Sequence, residues 1–371
     1  MKGTVLITGA AGFIGSHTAD LLAKKGYKIK ILDFLAPPVH IGEWPNYVNN
    51  KGYTLIKGDV RNKKDFAEAL NGVDYVIHLA AYQDQLPDFS TFFETNTVST
   101  SLIYEIILEN KLPIKKVVYS SSQFVYGDGE YISSKGELFF PELRSLQQLK
   151  EKRWEVLDKY NEIAKFQPFK EDQKVNPTNS YGLSKISSEM LALRLGKTYN
   201  IPTSIVRYSI VQGPRQSPRN IYSGALRIFV TQALAGEPLT VYEDGNQLRD
   251  FVNVEDVVKA NALMLEDERT NFEVFNVGGG KGYSVLDFAH MVKKISNSNS
   301  QILVNGEFRR TDTRNAISDI TKLKSLGWSP SQTPEKSIKD YIDWIKSEKF
   351  DVAHIVKNSR AELKKLGVVD K

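Results

Sequence analysis

Short apolar runs alternate with amphipathic segments along the first half of the chain. The apolar runs include "TVLITG", "KIKILDF", "YTLIKGD", "DYVIHLAA" and "KKVVYSSS". Segments with helical spacing, such as "SHTADLLAKKG" and "KKDFAEALNG", lie between them, and a further helix is expected from about Glu94 to Asn110. Strands rich in Val and Ile that alternate with helical periods indicate repeated strand–helix–strand units. The pattern predicts an α/β protein with a doubly wound parallel sheet covered on both faces.

The pattern changes after "IPTSIVRYSIVQG", where the elements become shorter and more irregular. Stretches such as "GPRQSPRNIYSG" and "FNVGGGKGYS" are rich in Pro and Gly. We therefore expect a first domain at residues 1–205 and a smaller, interleaved domain at residues 206–345. The smaller domain should lie over the carboxyl ends of the strands, where open parallel sheets bind ligands. Residues 346–371 are expected to form a charged, solvated helical tail.

Residues 128–176 interrupt the alternation. The stretch "LRSLQQLKEKRWEVLDKYNEIAKF" is strongly charged, has helical spacing and contains nothing typical of a sheet strand. We interpret residues 128–176 as a helical insertion in the first domain. It could serve as a lid, as an oligomer contact or as a solvated surface decoration, and the pattern leaves these three roles open.

The composition excludes several classes of function. The 371 residues include 49 Lys and Arg against 44 Asp and Glu, mostly interspersed, so a nucleic-acid partner is not expected. The absence of cysteine excludes disulfides and thiolate metal sites, and the five histidines show no metal-ligand spacing. We see neither a signal sequence nor an apolar run of membrane-spanning length. These features favour a cytoplasmic protein without a metal ion or a membrane partner.

A glycine-rich turn follows the first predicted strand and opens a helix. In "LITGAAGFIGSH", Gly9 permits a tight turn, Gly12 lets a pyrophosphate approach the backbone, and Gly15 allows close helix packing. Asp33 ends the second strand at the position expected for an acid that binds the adenosine ribose. Because Asp33 would repel a ribose phosphate and no arginine adjoins it, NAD is favoured over NADP. The alternative is a tight turn without a ligand.

Six motifs together resemble a known family. They are "TGAAGFIG", "GDV", "HLAA", "YSSSQFVYG", "YGLSK" and "RDFVNVEDV". This set is similar to the extended short-chain dehydrogenase/reductases, the group of nucleotide-sugar epimerases and dehydratases, from residue 1 to about residue 345. The later motifs resemble most the subset that contains TDP-L-rhamnose 4-epimerase and relatives of UDP-glucose 4-epimerase. The resemblance implies a Rossmann-type NAD-binding domain and a substrate domain for a nucleotide-diphosphate sugar.

A Tyr-x-x-x-Lys pattern, which could form a catalytic pair, occurs four times. It begins at Tyr47, Tyr53, Tyr131 and Tyr181. The pair Tyr53 and Lys57 lies in a predicted strand, where four residues span roughly 13 Å and cannot cooperate. Tyr181 adjoins a helical pattern in which positions four apart share a face, and it follows the serine-rich strand. We expect the ammonium of Lys185 to lower the pKa of Tyr181, so that its phenol serves as a base.

The resemblance implies the roles of the other site residues. Ser122 would orient the proton of the reacting sugar hydroxyl, completing a trio with Tyr181 and Lys185. The residues expected to bind the cofactor are Gly9, Gly12, Phe13, Ile14, Gly15, Asp33, Asp59, Val60, Leu79, Ala80, Ala81, Asn96, Ser120, Tyr181, Lys185 and Tyr208. The residues expected to bind the substrate are Gln123, Phe124, Ser209, Asn220, Tyr222, Arg249, Arg309 and Asp312.

These residues imply a reaction. NAD-dependent epimerisation at C4 of a nucleotide-diphosphate hexose, through a transient 4-keto sugar, fits the resemblance best. Family dehydratases carry an Asp–Glu pair where this chain has Gln123 and Phe124, which cannot exchange protons for elimination. A nucleotide-sugar oxidoreductase, an epimerase acting at another carbon and a non-catalytic NAD-binding regulator remain alternatives. A homodimer is expected from the resemblance alone.

Overall fold

The structure is a computed structural model that describes residues 2–49, 51–84, 86–220 and 224–366. Its strands begin and end close to the apolar runs of the sequence. The strands are β1 (Thr4–Thr8), β2 (Lys28–Asp33), β3 (Thr54–Lys57), β4 (Tyr75–His78), β5 (Lys116–Ser122), β6 (Tyr131–Ile132), β7 (Leu138–Phe139), β8 (Lys165–Phe166), β9 (Thr203–Tyr208), β10 (Ile210–Gln212), β11 (Leu239–Val241), β12 (Leu248–Asn253), β13 (Val274–Val277), β14 (Gly282–Ser284), β15 (Ile302–Val304) and β16 (Asn315–Ala316).

The α-helices lie between these strands. They are α1 (Phe13–Lys24), α2 (Asn46–Asn49), α3 (Lys63–Leu70), α4 (Phe89–Phe92), α5 (Ser99–Glu109), α6 (Leu146–Lys150), α7 (Ser180–Thr198), α8 (Ala225–Leu234), α9 (Val254–Glu266), α10 (Val285–Ser296), α11 (Thr321–Lys324), α12 (Pro334–Ser347) and α13 (Val352–Leu366). A π-helical segment, Phe93–Val98, joins α4 to α5. The helix expected from Glu94 therefore begins earlier, at Phe89.

The central sheet has seven strands in the order β13-β9-β5-β4-β1-β2-β3. Every neighbouring pair is parallel. Successive side chains of a strand point to opposite faces, so Val5 and Ile7 pack in one core with residues of α1 and α9. Leu6 lies in the other core, with residues of α3, α5 and α7. The predicted doubly wound parallel sheet of the Rossmann type is confirmed.

The smaller domain is interleaved with the first. Strands β10, β12, β14 and β16 form its sheet, and α8, α10 and α12 supply its apolar core. The chain then returns to the first domain, where α9 packs beside α1 and β13 completes the edge of the central sheet. The boundary expected at residue 205 falls within β9, so no single cut in the sequence separates the two domains.

The insertion at residues 128–176 is not helical, and that prediction was wrong. Only α6, five residues long, is helical there, while β6, β7 and β8 form a small antiparallel sheet. Asp158 explains part of the difference, because its carboxylate accepts hydrogen bonds from the backbone N–H groups of Ser134, Tyr160 and Glu162. Such local bonds favour turns over a continuous helix.

The sequence suggested that the carboxyl-terminal residues form a solvated tail. Helix α13 is instead packed against the protein. Helix α13 packs against α8, and the side chain of Val356 is only 5% exposed. Apolar residues on one face of α13 can cover the smaller domain while the charged residues stay outside. Among the described residues, no helix has both the length and the apolar character needed to cross a membrane.

Candidate active site

A glycine turn connects β1 to α1 beside the end of β4. Gly9 has φ of +69°, and a Cβ on it would lie 2.8 Å from the Cα of Ala80. A Cβ on Gly15 would lie 2.6 Å from the Cα of Ala10. Gly12 is the N-cap of α1, and no described side chain caps the helix there. Free amide groups at a helix N-terminus suit phosphate binding, so the turn fits a dinucleotide.

Asp33 lies at the end of β2 and holds this turn. One carboxylate oxygen accepts a hydrogen bond from the backbone N–H of Ala11 at 2.9 Å, and the other accepts one from that of Leu35 at 2.9 Å. Burial raises the pKa of Asp33, while these N–H groups and His40 oppose the shift. Each oxygen keeps a second lone pair, so the carboxylate can still accept bonds from ribose hydroxyls.

The ends of β3 and β4 carry five more of the residues expected to bind the cofactor. Asp59, which follows β3, pairs with Arg61 at 2.6 Å. Val60, beside it, is buried. The backbone N–H groups of Leu79 and Ala80 both donate to the hydroxyl of Thr8, at 3.2 and 3.1 Å, which fixes the chain as it leaves β4. Ala81 follows directly, with part of its surface exposed.

Three of the residues expected to bind the cofactor form hydrogen bonds within the protein. They are Asn96, Ser120 and Tyr208. The amide of Asn96, which is fully buried, bonds both backbone groups of Tyr82 and the hydroxyl of Ser184. Ser120 donates to the carbonyl of His78 at 3.0 Å. Tyr208 donates its hydroxyl hydrogen to Asn261 at 2.6 Å. The sequence predicted that all three contact the cofactor, and in the structure the polar side-chain groups of all three bond other protein groups.

The catalytic trio predicted from the sequence comes together at the end of β5. Asn179 caps α7 by accepting a hydrogen bond from the N–H of Gly182 at 2.8 Å. This cap places Tyr181 in the first turn, with Lys185 one turn later on the same face. Lys185 is only 1% exposed, and its Nζ lies 6.0 Å from the ring centroid of Tyr181. Ser122 ends β5, and its hydroxyl acts to lower the pKa of the phenol.

Burial shifts the pKa values of Tyr181 and Lys185, and the shift of Tyr181 is opposite to the one predicted from the sequence. Burial raises the pKa of Tyr181 to about 12, and the Ser122 hydroxyl only partly opposes this shift. Burial also lowers the pKa of Lys185 to about 7, while Glu189 opposes that change. The prediction that Lys185 lowers the pKa of Tyr181 was therefore wrong for the protein alone. The physical reason is that the same burial favours the neutral form of Lys185, whose positive charge was expected to stabilise the phenolate of Tyr181.

Tyr181 and Ser122 face a cavity of about 970 Å³ between the two domains. Phe13 and Ile14 of α1 line the same cavity, which places it beside the glycine turn. Gln123 also lines it, and the ring of Phe124 packs edge-on against Tyr181, with 5.8 Å between centroids. The carboxylates among the described lining residues belong to Glu307 and Asp312.

Two of the predicted arginines also line this cavity. Arg249 of β12 donates to the backbone carbonyls of Leu248, Thr313 and Arg314 at 2.8 to 3.2 Å. Burial lowers the pKa of Arg249, and Asp312 opposes that shift. The guanidinium of Arg309 lies over the ring of Tyr242, 5.1 Å from its centroid. Two cations in one cavity are suited to a diphosphate.

The remaining predicted substrate residues are distributed around this cavity. Ser209, Asn220 and Asp312 line it. Ser209 donates to Asp250 at 2.9 Å and bonds the hydroxyl of Ser318 at 2.8 Å, so it is held by the smaller domain. Tyr222 lies outside the described residues.

Several lining residues were missed from the sequence. Arg227 of α8 is 5% exposed and lines the cavity. Burial lowers its pKa to about 10. A single charge within the apolar run "GALRIFV" was a signal that could have identified it. Tyr242, Gln247 and Val356 also line the cavity, but their sequence contexts contain no comparable signal, because only folding brings them there.

A model of a protein family described as the NAD dependent epimerase/dehydratase family matches residues 5–143 and 156–278. The dTDP-L-rhamnose 4-epimerase of Burkholderia thailandensis is 29% identical over 351 residues, with 93% of this chain and 95% of the relative covered. A putative UDP-glucose 4-epimerase of Methanocaldococcus jannaschii is 31% identical over 349 residues, with 92% and 98% covered.

A solved structure of similar fold is the UDP-glucose 4-epimerase of Thermotoga maritima with UDP-glucose. It superposes with a TM-score of 0.76 at 27% identity and covers 94% of this chain and 100% of its own. The similarity therefore extends over both domains and the cavity between them, rather than over the central sheet alone.

Proposed function

Because this chain belongs to the NAD dependent epimerase/dehydratase family, we propose that it is a nucleotide-sugar 4-epimerase. The resemblance inferred from its motifs is confirmed by that match. One observation carries the proposal: Tyr181 and Ser122 face the same cavity as Arg249 and Arg309. A proton-transfer group and two cations in one cavity fit a sugar joined to a diphosphate.

The glycine turn and Asp33 would hold NAD. The close approach of Gly9 to Ala80, the uncapped N-terminus of α1 and the buried carboxylate fit its pyrophosphate and adenosine ribose. NAD, when bound, accepts a hydride from the sugar and returns it. No external reductant is then needed, because the cofactor is regenerated in each turnover.

The phenol of Tyr181 exchanges the proton of the sugar hydroxyl. Its oxygen must first lose its own proton, and burial, which raises the pKa of Tyr181 to about 12, opposes that loss. Lys185 in its charged form stabilises the phenolate, and Ser122 orients the hydroxyl proton towards it. Epimerisation at C4 then requires the 4-keto sugar to present its other face before the hydride returns to carbon and the proton to oxygen.

The surroundings of Tyr181 favour epimerisation over elimination of water. Elimination needs an acid and a base beside the sugar, whereas Gln123 and Phe124 occupy that part of the cavity wall. The lining carboxylates of the described residues, Glu307 and Asp312, lie in the same segment as Arg309, which is expected to bind the diphosphate. If the protein were an oxidoreductase or an epimerase acting at another carbon, the assay below would give a different product.

The exposed apolar side chains of one helical surface support a homodimer. Phe89 and Phe93 of the helix α4–α5 are 60% and 38% exposed. Leu183 and Met190 of α7, which packs against α5, are 45% and 65% exposed. A second copy of the chain, packed as a four-helix bundle, would cover this surface. The cytoplasmic location remains a prediction from the sequence.

An activity assay without added cofactor tests the proposal. The purified protein should interconvert one epimeric pair from a panel of UDP, TDP, GDP and CDP sugars, followed by NMR. Tyr181→Phe should lower kcat by about 10²- to 10⁴-fold while NAD stays bound. Tyr53→Phe, which alters another Tyr-x-x-x-Lys pair, serves as the matched control and should remain active. Full activity of Tyr181→Phe would show that another group is the base.

A further inference from the structure

Residues 305–313 connect β15 to β16 without a helix or strand of their own. This segment nevertheless contributes Arg309 and Asp312 to the cavity wall, together with its Asn305, Glu307 and Thr313. An irregular segment needs contacts from outside itself to hold such side chains in place. Those contacts come from the insertion at residues 128–176.

Aromatic packing holds the middle of the segment. Trp154 of the insertion and Phe308 are 8% and 1% exposed, and their ring centroids lie 6.0 Å apart. Leu149 of α6 completes this small apolar cluster. The neighbour of Phe308 in sequence is Arg309, so the cluster fixes the backbone from which that guanidinium extends.

A buried arginine of the insertion holds the end of the segment. Arg144 donates to the carbonyl of Asp312 at 2.7 Å and to that of Trp154 at 2.8 Å. Its guanidinium also makes a two-bond pair with Glu243 at 3.0 and 2.8 Å. The N–H of Glu243 in turn donates to the carbonyl of Glu307 at 2.7 Å. Arg144 therefore binds the segment both directly and through Glu243.

The same network reaches the second cavity arginine. Asp128 of the insertion accepts a hydrogen bond from the N–H of Arg314 at 3.0 Å, and Arg314 bonds Glu243 at 3.1 Å. The carbonyls of Thr313 and Arg314 accept the guanidinium hydrogens of Arg249. The backbone at residues 312–314 thus lies between the insertion on one side and Arg249 on the other.

We propose that Arg144 and Trp154 are positioning residues that hold the 305–313 segment in the conformation that binds the nucleotide-diphosphate half of the substrate. The proposal rests on the proposed function, because it presumes a nucleotide sugar at Arg249 and Arg309. The family model matches residues 5–143 and 156–278, so residues 144–155, which include both positioning residues, lie outside the pattern common to the family.

The burial of the charges of Arg144 and Glu243 argues against the alternative that the insertion is a solvated surface decoration. Arg144 and Glu243 each have only 4% of their side-chain surface exposed, and removing charges from water costs free energy that a solvated decoration would not spend. A lid would open on a few weak contacts, whereas here the middle and the end of the segment are tied to the insertion by buried groups.

Two variants test the positioning role by different chemistry. Arg144→Lys keeps the charge near Glu243 but loses the planar fork that reaches Asp312 and Trp154 together. Trp154→Ala removes the ring that packs on Phe308. Asp158→Asn is the matched control, because it weakens a turn of the same insertion that does not contact the segment.

The measurements use the NAD-loaded protein. UDP, TDP, GDP and CDP are first titrated calorimetrically into the unaltered protein, and the tightest binder becomes the probe. Both positioning variants should bind it about 10- to 100-fold more weakly and raise KM of the corresponding sugar similarly. Their kcat at saturation and their NAD content should be retained. Asp158→Asn should lower the melting temperature and leave nucleotide affinity unchanged.

Each other outcome overturns the proposal in a recognisable way. If folded Arg144→Lys and Trp154→Ala bind the probe as tightly as the unaltered protein, the insertion does not position the segment. If Asp158→Asn weakens binding equally, the role does not belong to these two residues. If the unaltered protein binds none of the four nucleotides, the proposed function fails as well, and that result differs from a loss confined to the variants.

Discussion

The glycine turn beside the cavity, here called the cofactor end, and the cavity wall at residues 305–313, here called the substrate end, are built in different ways. At the cofactor end, Gly9, Gly15 and Asp33 lie within 25 residues of one another and act through the backbone at regular strand ends. At the substrate end, an irregular segment is held by side chains distant in sequence, such as Arg144 and Glu243. The comparison shows that a regular sheet supplies one site through its geometry, whereas the other site depends on buried charge.

Gly9→Ala should disrupt the cofactor end by the largest margin. The new Cβ would overlap Ala80 and would also require φ of +69°, so we expect a loss of about 3 to 5 kcal/mol in the free energy of unfolding. Gly72→Ala is a matched control with φ of +70° and no described atom within 4 Å. It should lose about 1 to 2 kcal/mol. Urea denaturation measures both changes.

The NAD content of the purified variants, measured by absorbance, sharpens this test. Gly9→Ala should lose the cofactor, whereas Gly72→Ala should retain it. If the two variants were equally stable and both bound NAD, the close contact of Gly9 with the backbone of Ala80 would not be what requires glycine at position 9.

The stability of the cofactor-free protein should depend on pH through Lys185. Its pKa is about 7 when folded and 10.5 when unfolded, so the unfolded chain binds the proton more tightly between these values. The free energy of unfolding should therefore rise with pH from about 7 to about 10, by up to about 4 kcal/mol relative to Lys185→Met. Urea denaturation of both proteins at pH 7, 8.5 and 10 measures the difference. A constant difference would show that Lys185 is charged when folded.

Glu155→Gln should have the smallest effect, although it belongs to the network at the substrate end. Glu155 is 40% exposed, and Arg314 keeps its bonds to Glu243 and Asp244 without it. We expect a loss of less than about 1 kcal/mol in stability. Nucleotide affinity, measured by the same calorimetric titration, should be nearly unchanged. A large loss would mean that exposed charges also hold the segment.

Local patterns predicted the central sheet and the glycine turn after β1. Gly9, Gly12 and Gly15 follow an apolar strand, and Asp33 ends the next one, so the order along the chain specifies their arrangement in space. Tyr181 and Lys185 could be paired from the helical pattern that follows Tyr181 and the serine-rich strand that precedes it. Their pKa values could not be predicted, because they depend on burial, which packing from the rest of the fold creates.

The insertion and the carboxyl-terminal helix show where pattern reasoning failed. Charged residues at helical spacing suggested a helical insertion at residues 128–176, but Arg144 is buried in ion pairs and Trp154 packs on Phe308. Val356 lies over the cavity because α13 folds back onto α8. In each case the partner lies far away in the sequence, so no local window contains it.

The sequence by itself determined the fold class, the glycine turn and the helical pairing of Tyr181 with Lys185, because periodicity and short motifs act between residues that are close along the chain. Only the tertiary structure decided which charges are buried, how the insertion meets the 305–313 segment and which groups share the cavity. The physical reason is that burial and ion pairing depend on contacts between distant segments, and these contacts exist only once the two domains have packed together.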